Sequence, residues 1–350
     1  MADRKPGELP AVTIATNNGD IGGGEVMLLA IAHALEQLDV ETTVVGPSEP
    51  PGLVRAAQSA GHRTVTLNAG DRPSWLRALR RWDRQERRGV LWCNGLVPAT
   101  ATAGRADRIV HLHQRPTGAQ RLLEPVARRG ALTTLVPSHS MQTAVRGAEV
   151  FPNWVAPMEV KPRDRKGSGV TVLGFLGRPS PDKGVPVLAA ALAKLDMSHP
   201  GRFRLLLAGE PRFVRESDRQ IVERTLGAVD HLVDRPGWMP PADFFGAIDL
   251  LVVPSVWPES FGLVAAEAMA ARTPVIVSDA GALPEVVGPG AAGIVPAGDA
   301  DALAAAILAF CDGARDGSVE TQYSRWEDKF SPAAGLERVR DLLTRLTLGS

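Results

Sequence analysis

The segment "WPESFGLVAAEAMA" puts Glu259 just ahead of an apolar run with helical spacing and Glu267 inside it, with a Ser-Phe-Gly turn between them. A helix rises about 1.5 Å per residue, so the two carboxylates can stand on the order of 10 Å apart. Glu267 sits among Val264, Ala265, Ala266, Ala268 and Met269. A carboxylate bordering so apolar a face needs a hydrogen-bonding partner, because an unpaired buried charge is costly, and a ribose hydroxyl would serve. Upstream, "GFLGRPSPDKGV" ends a strand at Gly177 and then sets Arg178 and Lys183 five positions apart across a proline-containing loop. Two fixed cations at the carboxyl end of a strand suit a diphosphate, each able to make charge-assisted hydrogen bonds. Taken alone, that segment would read as a solvated basic loop.

The glycine turn "GDIGGGEVMLL" lies between a strand and a helix, where Gly23 and Gly24 let a ligand approach backbone N–H groups at a helix start. It does not read as a dinucleotide fingerprint. With Gly22 as the first glycine, Met27 stands where the third belongs, and the second strand ends in Val45-Gly46 without an acidic residue for a ribose. In "RIVHLHQRP", period-two alternation puts His111 and His113 on one face of a strand end. Asn94, closing "LWCNG", is a weaker candidate for the same region.

The elements needed to position these residues follow from an alternation of short apolar strands with helical stretches, the pattern of a parallel sheet covered by helices. It runs from "AVTIATN" through "ETTVVGP", "HRTVTLN", "VLWCNG" and "RIVHLH" to "TTLVPS". It restarts at "GVTVLGFLG" and continues to "GIVPAG". The expected organisation is a first domain over residues 1–156, a linker over 157–169, a second domain over 170–325 and a helical tail over 326–350. Two such α/β domains would face each other across a cleft, with ligands bound at the carboxyl ends of the strands.

The whole-chain properties narrow the class. A length of 350 residues fits two domains. Lysine plus arginine equals aspartate plus glutamate at 39 each, so nothing in the balance points to nucleic acid. Two cysteines, Cys93 and Cys311, form neither a disulfide framework nor a metal-ligand spacing. The opening "MADRKPGELP" lacks a signal-peptide core, and the apolar run 302–311 is too short for a bilayer, which takes about 20 residues. The expected location is cytoplasmic, with a peripheral position at the inner membrane face as an alternative.

Taken together, these segments resemble the retaining GT-B glycosyltransferases of glycosyltransferase family 4. "GGGEVMLLAIAHAL" is similar to the family's first glycine turn and helix, "GRPSPDKG" to its Gly-Arg … Lys-Gly loop, and "PESFGLVAAEAMA" to its paired-glutamate motif. The resemblance covers nearly the whole chain and is strongest over 174–287. It implies a nucleoside-diphosphate sugar donor and a glycan, lipid or small-molecule acceptor. It implies diphosphate binding by Arg178 and Lys183, and sugar binding by Glu259. It also implies a helix mouth formed by Ser260, Phe261, Gly262 and Leu263, with Glu267 on the ribose. Family members often carry a histidine at the strand end of the first domain, which points to His113 as a catalytic residue beside Glu259, with His111 as the fallback. The chain departs from the family at Arg272 and Trp154, where relatives usually have glycine, and at Ala282, where a second glycine is common. A different helix end is expected at Arg272, a less permissive loop at Ala282, and an indole shaping the acceptor side at Trp154.

For the reaction, the resemblance implies retention of anomeric configuration, and leaving-group stabilisation by Arg178, Lys183 and helix N-termini requires no metal or cofactor. Asp299 and Asp301 open a helical run and read as caps, not as metal ligands. A nucleotide-sugar epimerase and a non-catalytic nucleotide-sugar binding protein are the competing classes. One surface element stands apart. The stretch 74–88, "SWLRALRRWDRQERR", carries Trp75, Leu76, Leu79 and Trp82 on one helical face, which would either cover the sheet or lie on anionic lipid.

Overall fold

The computed structural model describes residues 10–161, 169–211, 214–291, 293–313 and 318–348. The opening segment 1–9, most of the expected linker (162–168) and residues 212–213 lie outside the described residues. The chain divides into two compact units, Met1–Trp154 together with Pro332–Ser350, and Val155–Ser331.

The first unit alternates β1 (Val12–Ala15), α1 (Gly23–Gln37), β2 (Thr42–Pro47), α2 (Gly52–Ser59), β3 (Arg63–Leu67), α3 (Arg72–Gln85) and β4 (Val90–Asn94). It continues with α4 (Leu96–Ala101), β5 (Arg108–His111), α5 (Gln120–Arg128), β6 (Thr133–Val136), α6 (His139–Ala144) and β7 (Glu149–Val150). Its parallel sheet has the order β3-β2-β1-β4-β5-β6-β7. Strands β1 and β4 are buried throughout, as a parallel strand covered on both faces must be, and so they read as near-continuous apolar runs.

The second unit runs β8 (Thr171–Leu176), α7 (Val185–Ser198), β9 (Phe203–Ala208), α8 (Glu216–Gly227), β10 (Val233–Gly237), α9 (Pro241–Ala247) and β11 (Leu250–Val253). Then come α10 (Leu263–Ala270), β12 (Val275–Ser278), α11 (Leu283–Val287), β13 (Ile294–Val295), α12 (Ala300–Cys311) and α13 (Ser318–Phe330). Its parallel sheet has the order β10-β9-β8-β11-β12-β13. Both sheets are doubly wound, and each reverses strand order once: between β1 and β4 in the first, between β8 and β11 in the second. At such a switch point the two following loops diverge and leave a crevice at the carboxyl ends of the strands.

The segment set apart as a tail is two helices with different homes. Trp326 and Phe330 of α13 are buried in the second unit's core, whereas α14 (Pro332–Leu348) buries Val339, Leu342 and Leu343 beside Met27, Leu28 and Ile31 of α1. Trp154 belongs to that same first-unit core. It is 3% exposed, edge-on to Phe151, and so close to Gly335 that a Cβ there would lie 2.3 Å from the indole. The expectation that this indole shapes an acceptor surface is therefore corrected. It is a packing residue, and Gly335 makes room for it.

The basic helix α3 is likewise a sheet-covering helix. Trp75, Leu79 and Trp82 are buried in the first unit's core and Leu76 packs against it, while Arg77, Arg81 and Arg84 face outward. Its apolar face is already used, so the lipid reading of this helix is corrected. At Arg272 the structure also differs from expectation, because the residue adopts the left-handed conformation that glycine usually supplies after a helix (φ 52°). Its guanidinium is held by Glu320 at 2.6 and 2.7 Å and lies 3.6 Å from the Tyr323 ring centre, contacts that offset the backbone strain.

Candidate functional site

The sequence-singled residues gather at the two switch points, one set in each unit. In the second unit, β8 ends at Leu176 and the chain turns through Gly177 and the exposed Arg178 to Lys183. Gly184 then starts α7 in the left-handed region (φ 76°), where a Cβ would lie 1.7 Å from the Pro254 carbonyl oxygen. Only glycine tolerates both conditions. The loop after β11 is tied to this turn by the amides of Val256 and Trp257, which donate to the Asp182 carbonyl at 3.0 and 3.2 Å. That tie brings Glu259 to Lys183.

Lys183 Nζ stands 2.6 Å from Glu259 Oε1, and Ser255 Oγ donates to the same oxygen at 2.6 Å. Ser255 is fully buried, and its carbonyl accepts from Ser278 Oγ at 2.5 Å, which links the ends of β11 and β12 behind the carboxylate. Glu259 is also fixed through its backbone: its amide donates to the Ala280 carbonyl at 3.4 Å, and its carbonyl accepts from the Ala282 amide at 3.0 Å. Gly281 has φ 67°, and a Cβ there would lie 2.5 Å from both Glu259 N and Glu259 O. The positive φ falls on Gly281 while Ala282 is helical (φ −85°), so alanine at 282 does not strain this loop.

Helix α10 opens at Gly262, again left-handed (φ 97°), where a Cβ would lie 2.5 Å from Leu283 Cδ2. Phe261 is buried edge-on to Phe330 at 5.4 Å, so its ring anchors the turn. Among the described residues, the amides of Phe261, Gly262 and Leu263 donate to no backbone carbonyl. They are the orphan donors that make a helix mouth a site for negative charge. Ser260 stands in the same turn and has a partner of its own. One turn along the helix, Glu267 is half-buried, and desolvation raises its carboxyl from 4.5 to about 7.

In the first unit the corresponding crevice holds the glycine turn and a histidine. Glu25, buried in the first turn of α1, accepts from Asn18 Nδ2 (2.9 Å), Thr16 Oγ1 (3.3 Å) and the Gly22 amide (3.3 Å), and so shapes the turn that carries Gly23 and Gly24. A Cβ on Gly24 would meet the His113 ring at 3.4 Å. Asn94, at the end of β4, donates from Nδ2 to the Gly24 carbonyl at 3.1 Å and turns Oδ1 to His113 Nε2 at 2.7 Å. A carbonyl oxygen only accepts, so Nε2 carries the proton and Nδ1 presents a lone pair. That Nδ1 is buried with no hydrogen-bond partner, and burial lowers the imidazole to about 4, so the ring is neutral.

His111 stacks on His113 with ring centres 4.0 Å apart. It is fully buried, accepts from Trp92 Nε1 at 3.4 Å, and is pushed well below its usual range by desolvation and by His113. His111 is thus a core residue behind His113. Three residues with structural parts in these sites escaped the sequence reading: Ser255, Glu25 and Asn18. A serine four positions before Glu259 at a strand end was the available signal for the first, and an acid in the first turn after the glycines for the second.

Asp299 accepts from the Ala302 amide at 2.9 Å and caps α12, as its position at a helix start predicts. No three His, Cys, Asp or Glu side chains gather as a metal site among the described residues, and no helix among them is long and apolar enough to cross a membrane.

Residues 170–312 match the family described as Glycosyl transferases group 1. A D-inositol 3-phosphate glycosyltransferase of Corynebacterium kroppenstedtii is 35% identical over 188 residues, which is 50% of this chain and 41% of that protein. In the enzyme of the same name from Segniliparus rotundus the match spans 28% of the relative, so the chain spans well under half the length of these first relatives. A phosphatidyl-myo-inositol mannosyltransferase of Mycolicibacterium smegmatis is 29% identical over 82% of this chain and 80% of its own length. In fold, the chain superposes on HepE of Anabaena, crystallised with UDP and glucose, with a TM-score of 0.81 at 18% identity over 96% of this chain and 99% of that one. It matches sucrose-phosphate synthase of Thermosynechococcus elongatus with a TM-score of 0.82 at 20% identity, over 97% and 100%. With two doubly wound parallel sheets and these structural neighbours, the chain has the GT-B fold, and residues 170–312 of its second unit are similar to the glycosyl transferases group 1.

Proposed function

We propose that this protein transfers a sugar from a nucleoside-diphosphate sugar to a hydroxyl acceptor, with retention of anomeric configuration and without a metal ion. The observation that carries this reading is the cluster at the β8/β11 switch point. There Lys183 and Ser255 hold the Glu259 carboxylate beside the unpaired mouth of α10, while Glu267 stands one turn along the same helix. A nucleotide sugar has the matching order of groups: hydroxyls on the transferred sugar, a diphosphate, then hydroxyls on the ribose.

In this reading Arg178, Lys183 and the amides of Phe261, Gly262 and Leu263 take the diphosphate. Glu259 orients the transferred sugar, and Glu267 accepts from the ribose. When the bond from the anomeric carbon to the diphosphate oxygen breaks, the electron pair leaves with the diphosphate, and the preorganised cations and amides stabilise the added charge. The acceptor hydroxyl attacks the same face that the diphosphate leaves and gives its proton to the departing phosphate oxygen, which yields retention. In the first unit, His113, whose Nδ1 has no hydrogen-bond partner in the protein, is the candidate catalytic histidine. The names of the curated relatives support an inositol phosphate, free or lipid-linked, as the acceptor class, and the UDP bound by a structural neighbour supports a uridine or related nucleotide on the donor.

Thermal shift with UDP, GDP and ADP, followed by incubation of the matching hexose donors with inositol phosphate or phosphatidylinositol, tests the reading. Expected are a raised Tm with one nucleotide, an EDTA-insensitive transfer, and a product with the donor's anomeric configuration. A protein whose Tm responds to no nucleoside diphosphate, or which inverts the sugar, would refute it.

A further inference from the structure

Eleven large apolar side chains are exposed among the described residues, and three of them share the short helix α5: Leu122 (79% exposed), Leu123 (46%) and Val126 (55%). A fourth, Leu132 (44%), follows just after the helix. Positions 122, 123 and 126 fall on one helical face, while Glu124 and Ala127 point inward and are buried. The helix is fully amphipathic with its apolar stripe turned to solvent, the reverse of α3, whose tryptophans are buried. Scattered apolar residues on a surface need no explanation, but a contiguous stripe does.

The charge around the stripe has one sign. Over residues 114–148 there are five arginines (115, 121, 128, 129 and 146) and one acid, Glu124, so the segment carries 5 − 1 = +4 in a chain whose formal net charge is zero. Glu124 is buried and paired with Arg128 at 2.8 Å, and Glu149, just beyond, is paired with Arg345. Arg121, Arg129 and Arg146 are exposed and pair with no carboxylate among the described residues. Three exposed guanidinium groups without a carboxylate partner among the described residues, beside an exposed apolar stripe, match a surface that is anionic at its face and apolar just below it, which is the character of an acidic lipid leaflet.

We propose that α5 is the element by which the first unit docks on an anionic lipid surface, with Leu122, Leu123 and Val126 entering the headgroup boundary and Arg121 and Arg129 contacting lipid phosphates. The docking is independent of donor chemistry, so it stands or falls separately from the proposed transfer reaction.

Co-sedimentation of the full chain with vesicles tests it, using phosphatidylcholine alone and phosphatidylcholine mixed with phosphatidylglycerol. The expected result is binding to the mixed vesicles that weakens as salt is raised, and little binding to phosphatidylcholine alone. The double variant Leu122→Glu/Val126→Glu should lose at least tenfold in bound fraction, with an unchanged Tm and an unchanged thermal response to nucleoside diphosphate. Arg121→Glu/Arg129→Glu should lose a similar amount. Arg77→Glu/Arg81→Glu on α3 should bind within about twofold of the parent. The proposal is overturned if the parent protein does not bind mixed vesicles, if the α5 variants bind like the parent, or if binding follows the α3 charges instead. It is equally overturned if sedimentation equilibrium shows a dimer that Leu122→Glu/Val126→Glu dissociates, because the stripe would then be covered by a second copy of the chain.

Discussion

Lys183 and Glu259, separated by 76 residues in the chain, meet at 2.6 Å, and the buried Ser255 hydroxyl donates to the same carboxylate oxygen. The pair is only partly shielded, with side-chain exposures of 35% and 15%. It is therefore better placed to exchange partners with an arriving ligand than to stabilise the fold.

Replacing either member should therefore impair turnover more than folding. Lys183→Ala and Glu259→Ala are each expected to lower kcat/KM well over tenfold, since a hydrogen bond to a charged group is worth about 1.5–3 kcal/mol. Tm should move by no more than a few degrees. Ser255→Ala should act in the same direction but less, roughly fivefold for about 1 kcal/mol. Steady-state kinetics alongside thermal melts separate these outcomes, and normal activity in both charge variants would remove the assignments.

Glu267 gives the site a pH dependence near neutrality. Its carboxyl is raised from 4.5 to about 7 by desolvation, so the folded protein tolerates the neutral form better than the charged one. The stability that protonation gives is fully present below about 4.5 and is lost as pH rises through about 7. A ribose hydroxyl donates best to the ionised carboxylate, so nucleoside diphosphate affinity should increase between pH 6 and 8. Glu267→Gln should flatten both trends, in denaturant melts of the free protein and in calorimetric titrations with ligand.

His113 should contribute no ionisation to the pH–rate profile above pH 5, because burial holds its imidazole at about 4. Asn94 fixes which nitrogen carries the proton. Asn94→Ala frees the ring and is expected to reduce kcat about fivefold, the equivalent of ~1 kcal/mol for one hydrogen bond. Nucleoside diphosphate binding should be unaltered, since Asn94 belongs to the first unit and the phosphate-binding candidates to the second. A loss of nucleotide affinity in this variant would assign Asn94 a different part.

Gly281→Ala combines a positive φ of 67° with a Cβ 2.5 Å from two backbone atoms of Glu259. Backbone strain alone costs on the order of 1–3 kcal/mol, and relief requires moving Glu259. Expected are a lower urea midpoint and a loss of activity larger than the loss of folded protein at the assay temperature. Ala282→Gly, one residue on, should leave activity near its starting value, because that position is already helical.

The amino-acid sequence by itself determined the two alternating α/β halves and the order of the motif residues. Parallel strands buried on both faces must be apolar along their length, as in "LLVV" and "VIVS", and the chemistry-bearing residues must fall just after them. The placement of Arg178, Lys183 and Glu259 in loops after strands was legible for that reason, as was that of His113. Only the tertiary structure decided which sides of amphipathic helices are covered, because periodicity records that a stripe exists and not what lies against it. Thus α3 and α5 both carry apolar stripes with arginines, yet α3 buries Trp75 and Trp82 while α5 leaves Leu122 in solvent. The same limit hid the return of α14 to α1, the burial of Trp154 against Gly335, and the Ser255 hydrogen bond to Glu259. Each depends on segments brought together by the closing of a sheet or the path of a long chain, and local spacing carries no record of that path.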